Sequence, residues 1–381
     1  MKVVFLYHYY ERRVEFPPLG MLYICAIFEK MGFEVEVLYF NKDTPSECFP
    51  EAYIYAYSIS ATAIYSEFKE ILPKVKNKAE IFIAGNTHAS IFPEYVINEL
   101  GVDVVFCGES EIQVREWIEQ GCKGRGIIST RRALNIDFPY PARHLLPKEK
   151  IYMQNRIGGK SKASISMISS RGCVYGCKFC AIQNRGKVVF RSIDNFRNEV
   201  GEILREYSEC DGITLLDETF TMNEQFAINI AEIFREFNLK WECNTRVDKL
   251  NRKIISTLSK SNCMEVRLGI ESGAQEILNA MGKGITIQRI EQTLKMLSDF
   301  CLGVKMYIMH GYPGENMAST METVKFLERN QALFDRISLY QFTPLPGSPI
   351  YQELAAANSY NWDDFTIYNN ERQWWGSNFL K

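Results

Sequence analysis

A chain of 381 residues exceeds what one ordinary domain needs and is long enough for two cores. Hydrophobic residues make up 46% and charged residues 24%, and the net charge of −2 leaves no basic field to hold a phosphate backbone, which excludes nucleic acid as the default partner. No run of about 18 apolar residues exists to span a membrane, and the amino-terminal MKVVFLYHYYERR lacks a signal-peptide layout, so the expected location is the cytoplasm.

The first 125 residues alternate strand and helix. VVFLY (3–7) reads as a short buried strand, and Pro17-Pro18-Leu19-Gly20 opens a helix that runs to about Lys30 and stops at Gly32. Further strands are expected over 34–40, 52–60, 80–85 and 102–106, with helices over 64–77, 91–100 and 110–119. This alternation predicts a parallel α/β sheet, a Rossmann-like domain over 1–125. Residues 41–51 join two of the strands and carry Pro45 and Pro50. A parallel crossover usually needs a helix, and this one is expected to lack a full one. Residues 126–162, with IDFPYPARHLLP and Gly158-Gly159, read as a linker.

A second series begins at 163. Strands are expected over 164–169, 212–216, 240–244, 264–269, 304–309 and 336–341. Helices are expected over 193–208, 224–237, 251–261, 286–300 and 317–330. Six βα units suit a partial (β/α)6 barrel of TIM type over 163–350, whose chemistry sits at the C-terminal strand ends. The tail, 351–381, is rich in aromatics such as Trp362, Trp374 and Trp375. It is expected to cap an open edge or the bottom of the barrel.

Eight of the eleven cysteines are scattered singly and do not form a disulfide framework. The other three follow the first barrel strand in SSRGCVYGCKFC, spaced C-x3-C-x2-C: Cys173, Cys177 and Cys180. Three thiolates on one loop can hold three irons of a [4Fe–4S] cube and leave the fourth open, which is what a catalytic metal centre needs. A structural zinc site wants a fourth ligand, and no Cys or His lies nearby.

This loop, with its aromatic Phe179, resembles the signature of radical S-adenosylmethionine (SAM) enzymes. The resemblance implies that SAM chelates the open iron and is cleaved reductively to a 5′-deoxyadenosyl radical, fed by an external electron donor of flavodoxin or ferredoxin type. It implies SAM contacts at Phe179, at Asp217 and Glu218 after the second barrel strand, at Arg246 after the third, and at Glu271 and Ser272 after the fourth.

Phrases outside the loop resemble one branch, the cobalamin-binding-domain class. They include FPPLGMLYICAIFEKMGFEVEVL, IFIAGNTHASIFPE, VDVVFCGESE, FPYPARHLL, RLGIESGAQEILNAMGKGIT and FTPLPGSPIY. The branch implies cobalamin at the strand ends of the first domain, touching Leu19, Gly20, Ser58, Ser60, Gly85, Asn86 and His88. Glu15-x-Pro17-x-x-Gly20 stands where free-standing cobalamin domains carry D-x-H-x-x-G, so Pro17 replaces the cobalt-ligating His, and Asn86 replaces the second of a Gly pair. His8 and His88 are the nearby alternatives for an axial ligand. Methylthiotransferases are set aside, because the first domain lacks their second cysteine triad.

The expected function is cobalamin-dependent methyl transfer to an unactivated carbon of a small-molecule substrate. Two alternatives stand beside it. One is cobalamin-independent radical oxidation, cyclisation or rearrangement, and the other is a non-catalytic iron–sulfur or zinc protein.

Overall fold

The computed structural model describes residues 1–8, 17–129, 133–153 and 156–357. It divides into two compact units, one up to Ile151 and one from Tyr152 onward.

The first unit is a six-stranded parallel sheet with helices between its strands. The strands are β1 (Lys2–His8), β2 (Glu34–Phe40), β3 (Ala52–Ser58), β4 (Ala79–Gly85), β5 (Val104–Cys107) and β6 (Gly126–Ser129). Their order is β2-β1-β3-β4-β5-β6. The chain runs outward from β1 to one side and then to the other, so the topological switch lies between β1 and β3, where doubly wound sheets bind ligands. The helices are α1 (Leu19–Lys30), α2 (Tyr65–Val75), α3 (Asn86–Ile91), α4 (Pro93–Leu100), α5 (Glu111–Glu119) and the short α6 (Lys148–Ile151).

Two sequence expectations change. The helix expected over 91–100 is two helices, α3 and α4, with Pro93 opening the second. The linker expected from 126 begins with a strand, since Gly126–Ser129 pairs in parallel with β5. Four residues with one apolar pair show no periodicity, so only the neighbouring strand identifies β6. The crossover 41–51 has no full helix, only a single 3-10 turn at Ser46–Cys48. Side chains of α2 stand in for the missing packing. Lys74 Nζ donates to the carbonyls of Lys42 (2.7 Å) and Thr44 (2.8 Å), and Glu67 accepts from the Lys42 N–H at 3.0 Å.

The second unit is a partial barrel. Its strands are β7 (Ser164–Met167), β10 (Gly212–Leu215), β11 (Lys240–Thr245), β12 (Cys263–Glu271), β13 (Gly303–His310) and β14 (Arg336–Gln341), parallel and side by side in chain order. A two-stranded hairpin, β8 (Ser170–Arg171) with β9 (Val189–Phe190), brackets the cysteine loop. Helices α7 (Ile193–Glu206), α8 (Glu224–Glu236), α9 (Arg252–Lys260), α10 (Gln275–Ala280), α11 (Ile287–Asp299) and α12 (Met317–Asn330) return between strands, and α13 (Pro349–Ala357) follows β14. Amphipathic spacing buries one face of each: Ile254, Ile255 and Leu258 of α9, for instance, are all buried. Most of the helix starts are capped, by Ser192, Asn223, Asn251, Thr286 and Asn316. The aromatic tail beyond 357, and Glu15 of the first domain, lie outside the described residues.

Candidate functional site

The cysteine loop leaves β8 through Gly172, whose φ of +99° is a conformation that side-chain-bearing residues resist. The loop then folds under one cation. Arg185 donates to the carbonyls of Tyr175 (3.5 Å), Cys177 (3.3 Å) and Cys180 (2.7 Å), so its guanidinium fixes the backbone that carries Cys177 and Cys180, while the Cys173 carbonyl accepts from the Gly186 N–H (2.9 Å). The loop is also pinned from outside itself. The Lys178 N–H donates to the Met281 carbonyl (2.9 Å), and the Lys178 carbonyl accepts from the Ile350 N–H (3.0 Å).

Arg246, at the end of β11, reaches into the same place. Its Nη1 lies 3.7 Å from Cys177 Sγ, its Nη2 donates to the Lys283 carbonyl (2.7 Å), and its Nε pairs with Asp248 (2.9 Å). The Tyr175 ring lies 3.6 Å from the guanidinium, and the Tyr175 hydroxyl donates to Asp248 at 2.8 Å. Arg246 thus braces the loop from β11. Burial pushes the Cys180 thiol up, and the charges of Cys177 and Cys173 add to it. A metal is then needed to displace its proton.

At the end of β12, Glu271 has φ of +71° and pairs with Lys283 at 2.8 Å. Lys283 Nζ lies 5.6 Å from the centre of the Phe179 ring. Phe179 is half-buried and packs on Ala274, Ile277, Met281, Tyr312, Phe342 and Ile350. Glu218 accepts from the Gly172 N–H at 3.1 Å. It is open to solvent on one side and crowded by protein on the other. Burial, with the adjacent Asp217 charge, pushes its carboxyl up to about 7.

Two of the expected SAM contacts already have partners within the chain. Asp217 is wholly buried and its carboxylate is taken: Oδ1 accepts from Ser169 N (2.7 Å), and Oδ2 from Ser169 Oγ (2.6 Å) and Ser170 Oγ (2.5 Å). Ser272 is also wholly buried, with Oγ 3.1 Å from Thr323 Oγ1 on α12 and accepting from Ala274 N. Both hold the strand ends in place. Sequence reasoning missed Arg185, a lone cation five residues past the motif, which no spacing rule singles out.

The raised carboxyl has a consequence for the metal-free protein. Glu218 keeps its proton to higher pH when folded than when unfolded, so its contribution favours folding below about pH 4.5 and is lost as pH rises through 7. Glu218→Gln is therefore expected to flatten the fall in stability between pH 5 and 8, as measured by urea denaturation at a series of pH values. An unchanged slope would mean that Glu218 titrates normally.

In the first unit, Ser58 and Asn86 meet at the ends of β3 and β4, with Asn86 Nδ2 donating to Ser58 Oγ at 3.1 Å. Asn86 has φ of +80° and so adopts the backbone a glycine would take there. Its side chain accepts from the Thr87 N–H. Gly20 is exposed, and a Cβ built on it meets nothing within 4 Å. Ser60 and Gly85 are half-buried on the same edge.

Two of the expected cobalamin contacts, Leu19 and His88, are buried. Leu19 is buried in the core. His88 is wholly buried between the rings of Tyr65 (4.4 Å) and Phe92 (5.2 Å), with Nδ1 3.1 Å from Thr62 Oγ1, and burial lowers its pKa to about 3. It is a core histidine. His8 is buried 3.6 Å from Glu67 and edge-on to Phe40.

These residues fit the implied groups. Cys173, Cys177 and Cys180 are all free thiols. Among the described residues no three His, Cys, Asp or Glu side chains gather tightly enough to hold a single ion. A lone zinc would need them at bonds of about 2.3 Å to one centre, whereas in a cube each thiolate takes its own iron. The small, polar rim at Gly20, Ser58, Gly85 and Asn86 fits a flat macrocycle approached from the strand ends.

Comparison with known proteins agrees with this division. Residues 167–327 match the family described as the radical SAM superfamily, and residues 11–117 match the B12 binding domain. The chain is 26% identical to an uncharacterized methyltransferase of Pyrococcus horikoshii, over 92% of this chain and 82% of that one. It is 23% identical to the cytidylyl-2-hydroxyethylphosphonate methyltransferase of Streptomyces wedmorensis, over 88% and 77%. Its fold resembles that of the radical SAM methyltransferase TsrM from Kitasatospora setae, solved with cobalamin and a [4Fe–4S] cluster, with a TM-score of 0.73 at 15% identity over 93% of this chain and 75% of that one. A C-x3-C-x2-C loop on a partial barrel, preceded by a parallel sheet with its own ligand edge, is thus matched in both halves: the second unit carries a match to the radical SAM superfamily and the first a match to the B12 binding domain.

Proposed function

We propose that the protein transfers a methyl group from SAM to an unactivated carbon of a small molecule, using cobalamin as carrier. The carrying observation is the loop of three free thiols, fixed at the barrel's C-terminal end by Arg185 and Arg246. The cluster supplies the electron that cleaves SAM, at potentials that reach roughly −700 mV for [4Fe–4S] centres, and cobalamin supplies the methyl carrier.

The chain's own residues do the rest. Arg246 keeps Cys177 in position and places a positive charge beside its sulfur. Glu218 accepts the amino group of SAM. Phe179, with Lys283 beside it, packs against the adenine, and the Glu271–Lys283 pair fixes the β12 end below it. In the first unit, Ser58 and Asn86 hydrogen-bond the cofactor's edge while Gly20 leaves room for its face. The functional divisions we favour are the cobalamin domain over 1–125 and the radical domain over 163–350. No helix among the described residues is long and apolar enough to cross a membrane. All eleven cysteines are free, which suits a reducing compartment; we place the enzyme in the cytoplasm, reduced by a flavodoxin or ferredoxin.

Cobalamin tests this reading directly. Pro17 offers cobalt no lone pair, and His88 is locked in the core. Protein made with hydroxocobalamin is expected to retain about one cobalt per chain through gel filtration, since the domain has one ligand edge. After reduction of the cobalt to the Co(II) state, its EPR spectrum is expected to lack nitrogen hyperfine splitting from a protein ligand. Loss of all cobalt on the column would sink the methyl-carrier role, and splitting abolished by His8→Ala would identify an axial histidine.

A further inference from the structure

The inside of the barrel carries charge that the cluster and SAM do not use. Alternate residues of each strand face the lumen, and the cross-strand register brings Asn244, Arg267, Lys305 and Arg336 into one row across β11 to β14. The intervening residues, such as Val266, Leu268, Val304 and Met306, are buried on the other face. The lumen has a floor. Ile157 is wholly buried, its N–H donates to Glu242 Oε2 at 2.9 Å, and its Cδ1 would lie 2.4 Å from a Cβ on Gly212.

The charges in this layer do not balance. Glu242 pairs with Arg267, and Glu265 pairs with both Arg267 (3.1 Å) and Arg336 (2.7 Å). Among the described residues Arg267, Arg336 and Lys305 thus share this row with two carboxylates, Glu242 and Glu265. Among the described residues Lys305 makes no hydrogen bond and no ion pair, and its neighbour is the Tyr307 ring, 5.2 Å from Nζ. Burial, then the charges of Arg267 and Arg336, hold its pKa below the ordinary lysine range, against the more distant pull of Glu265. A half-buried ammonium among guanidinium groups is destabilising. Sequences retain such costs where a ligand supplies the missing charge.

We propose that the lumen receives a carboxylate or phosphate group of the substrate, with Lys305 as its counter-ion. Only the word substrate rests on the function proposed above. Lys305 lies five residues before His310 at the end of β13, about 16 Å along the strand at 3.3 Å per residue, so the anionic end of the ligand enters first and its other end faces the cysteine loop. Tyr307, whose hydroxyl lies 3.5 Å from Asn244 Oδ1, lines the wall above the ammonium.

The test titrates the reconstituted full-length protein with inorganic phosphate and, separately, with glutarate, by calorimetry at low ionic strength. At least one is expected to saturate, the tighter one naming the group. Lys305→Met is expected to weaken it tenfold or more, and Lys305→Arg to keep most of it. Without anion, Lys305→Met is expected to melt above the wild type, because it removes an unpaired charge. Failure of both anions to saturate the wild type, wild-type affinity in Lys305→Met, or a lowered melting point in that variant each overturns the proposal. SAM binding is measured on the same samples. Anion binding without SAM binding sinks the catalytic reading alone, and SAM binding without anion binding sinks this one alone.

Discussion

Cys177→Ala will empty the cysteine loop of iron and reduce SAM cleavage to the level of SAM in buffer. Each of the three thiolates holds a different iron of a cube, so losing one removes an iron ligand that nothing else replaces. Among the described residues no other group of donors gathers to take over. Cys177 also anchors the Nη1 of Arg246 at 3.7 Å, so its loss frees the guanidinium that braces the loop from β11. The measurement is iron content and 5′-deoxyadenosine formed after anaerobic reconstitution and reduction. Cys25→Ala is the control, because Cys25 is buried in the first unit's core. Wild-type iron in Cys177→Ala would remove the loop from the cluster, and equal losses in Cys25→Ala would point to misfolding.

Asp217→Ala will lower stability by at least about 3 kcal/mol, because three buried donors lose their acceptor and each costs about 1–3 kcal/mol. The donors are the backbone of Ser169 and the hydroxyls of Ser169 and Ser170, all buried with the carboxylate. They join the end of β10 to the start of the cysteine loop, so the loop is expected to loosen as well. Urea denaturation of the metal-free protein gives the number. A loss under 1 kcal/mol, together with weakened SAM binding, would return Asp217 to the ligand set.

The neighbours Asp217 and Glu218 show where sequence reading stops. Both are carboxylates just after the second barrel strand, yet their surroundings differ: one sits in a nest of serines, the other beside the cysteine loop. The sequence supplies residue type and position at a strand end, but not which neighbouring element faces the side chain. Ser272 is a case of the same kind, since its partner Thr323 lies 51 residues away on α12. His88 is a candidate only by its place just after β4, and the aromatic rings of Tyr65 and Phe92 enclose it.

Spacing is what made the rest legible. Three cysteines within eight residues carry their own geometry, and six βα units carry the barrel. Strand β6 and the β8–β9 hairpin have four and two residues per strand, too few to show a period. Asn86 runs the other way. Standing in place of the second of a Gly pair, it takes the glycine's backbone and adds a hydrogen bond to Ser58.

The order of strands has a consequence for how the protein is made. In both sheets every new strand joins a free edge of those already formed: β2 and then β3 flank β1, and from β7 to β14 spatial order follows chain order. No strand must be pushed between two others, so each unit can grow as the ribosome delivers it, amino end first. The cysteine loop emerges early, just after the first barrel strand. Its outside anchors come late: Arg246, then the carbonyls of Met281 and Lys283, and last the Ile350 N–H. Until roughly 170 further residues have been synthesised, the loop lacks the frame that holds its thiols together. Iron delivered to a nascent chain would find three loose cysteines, which makes cluster insertion a step for the finished protein.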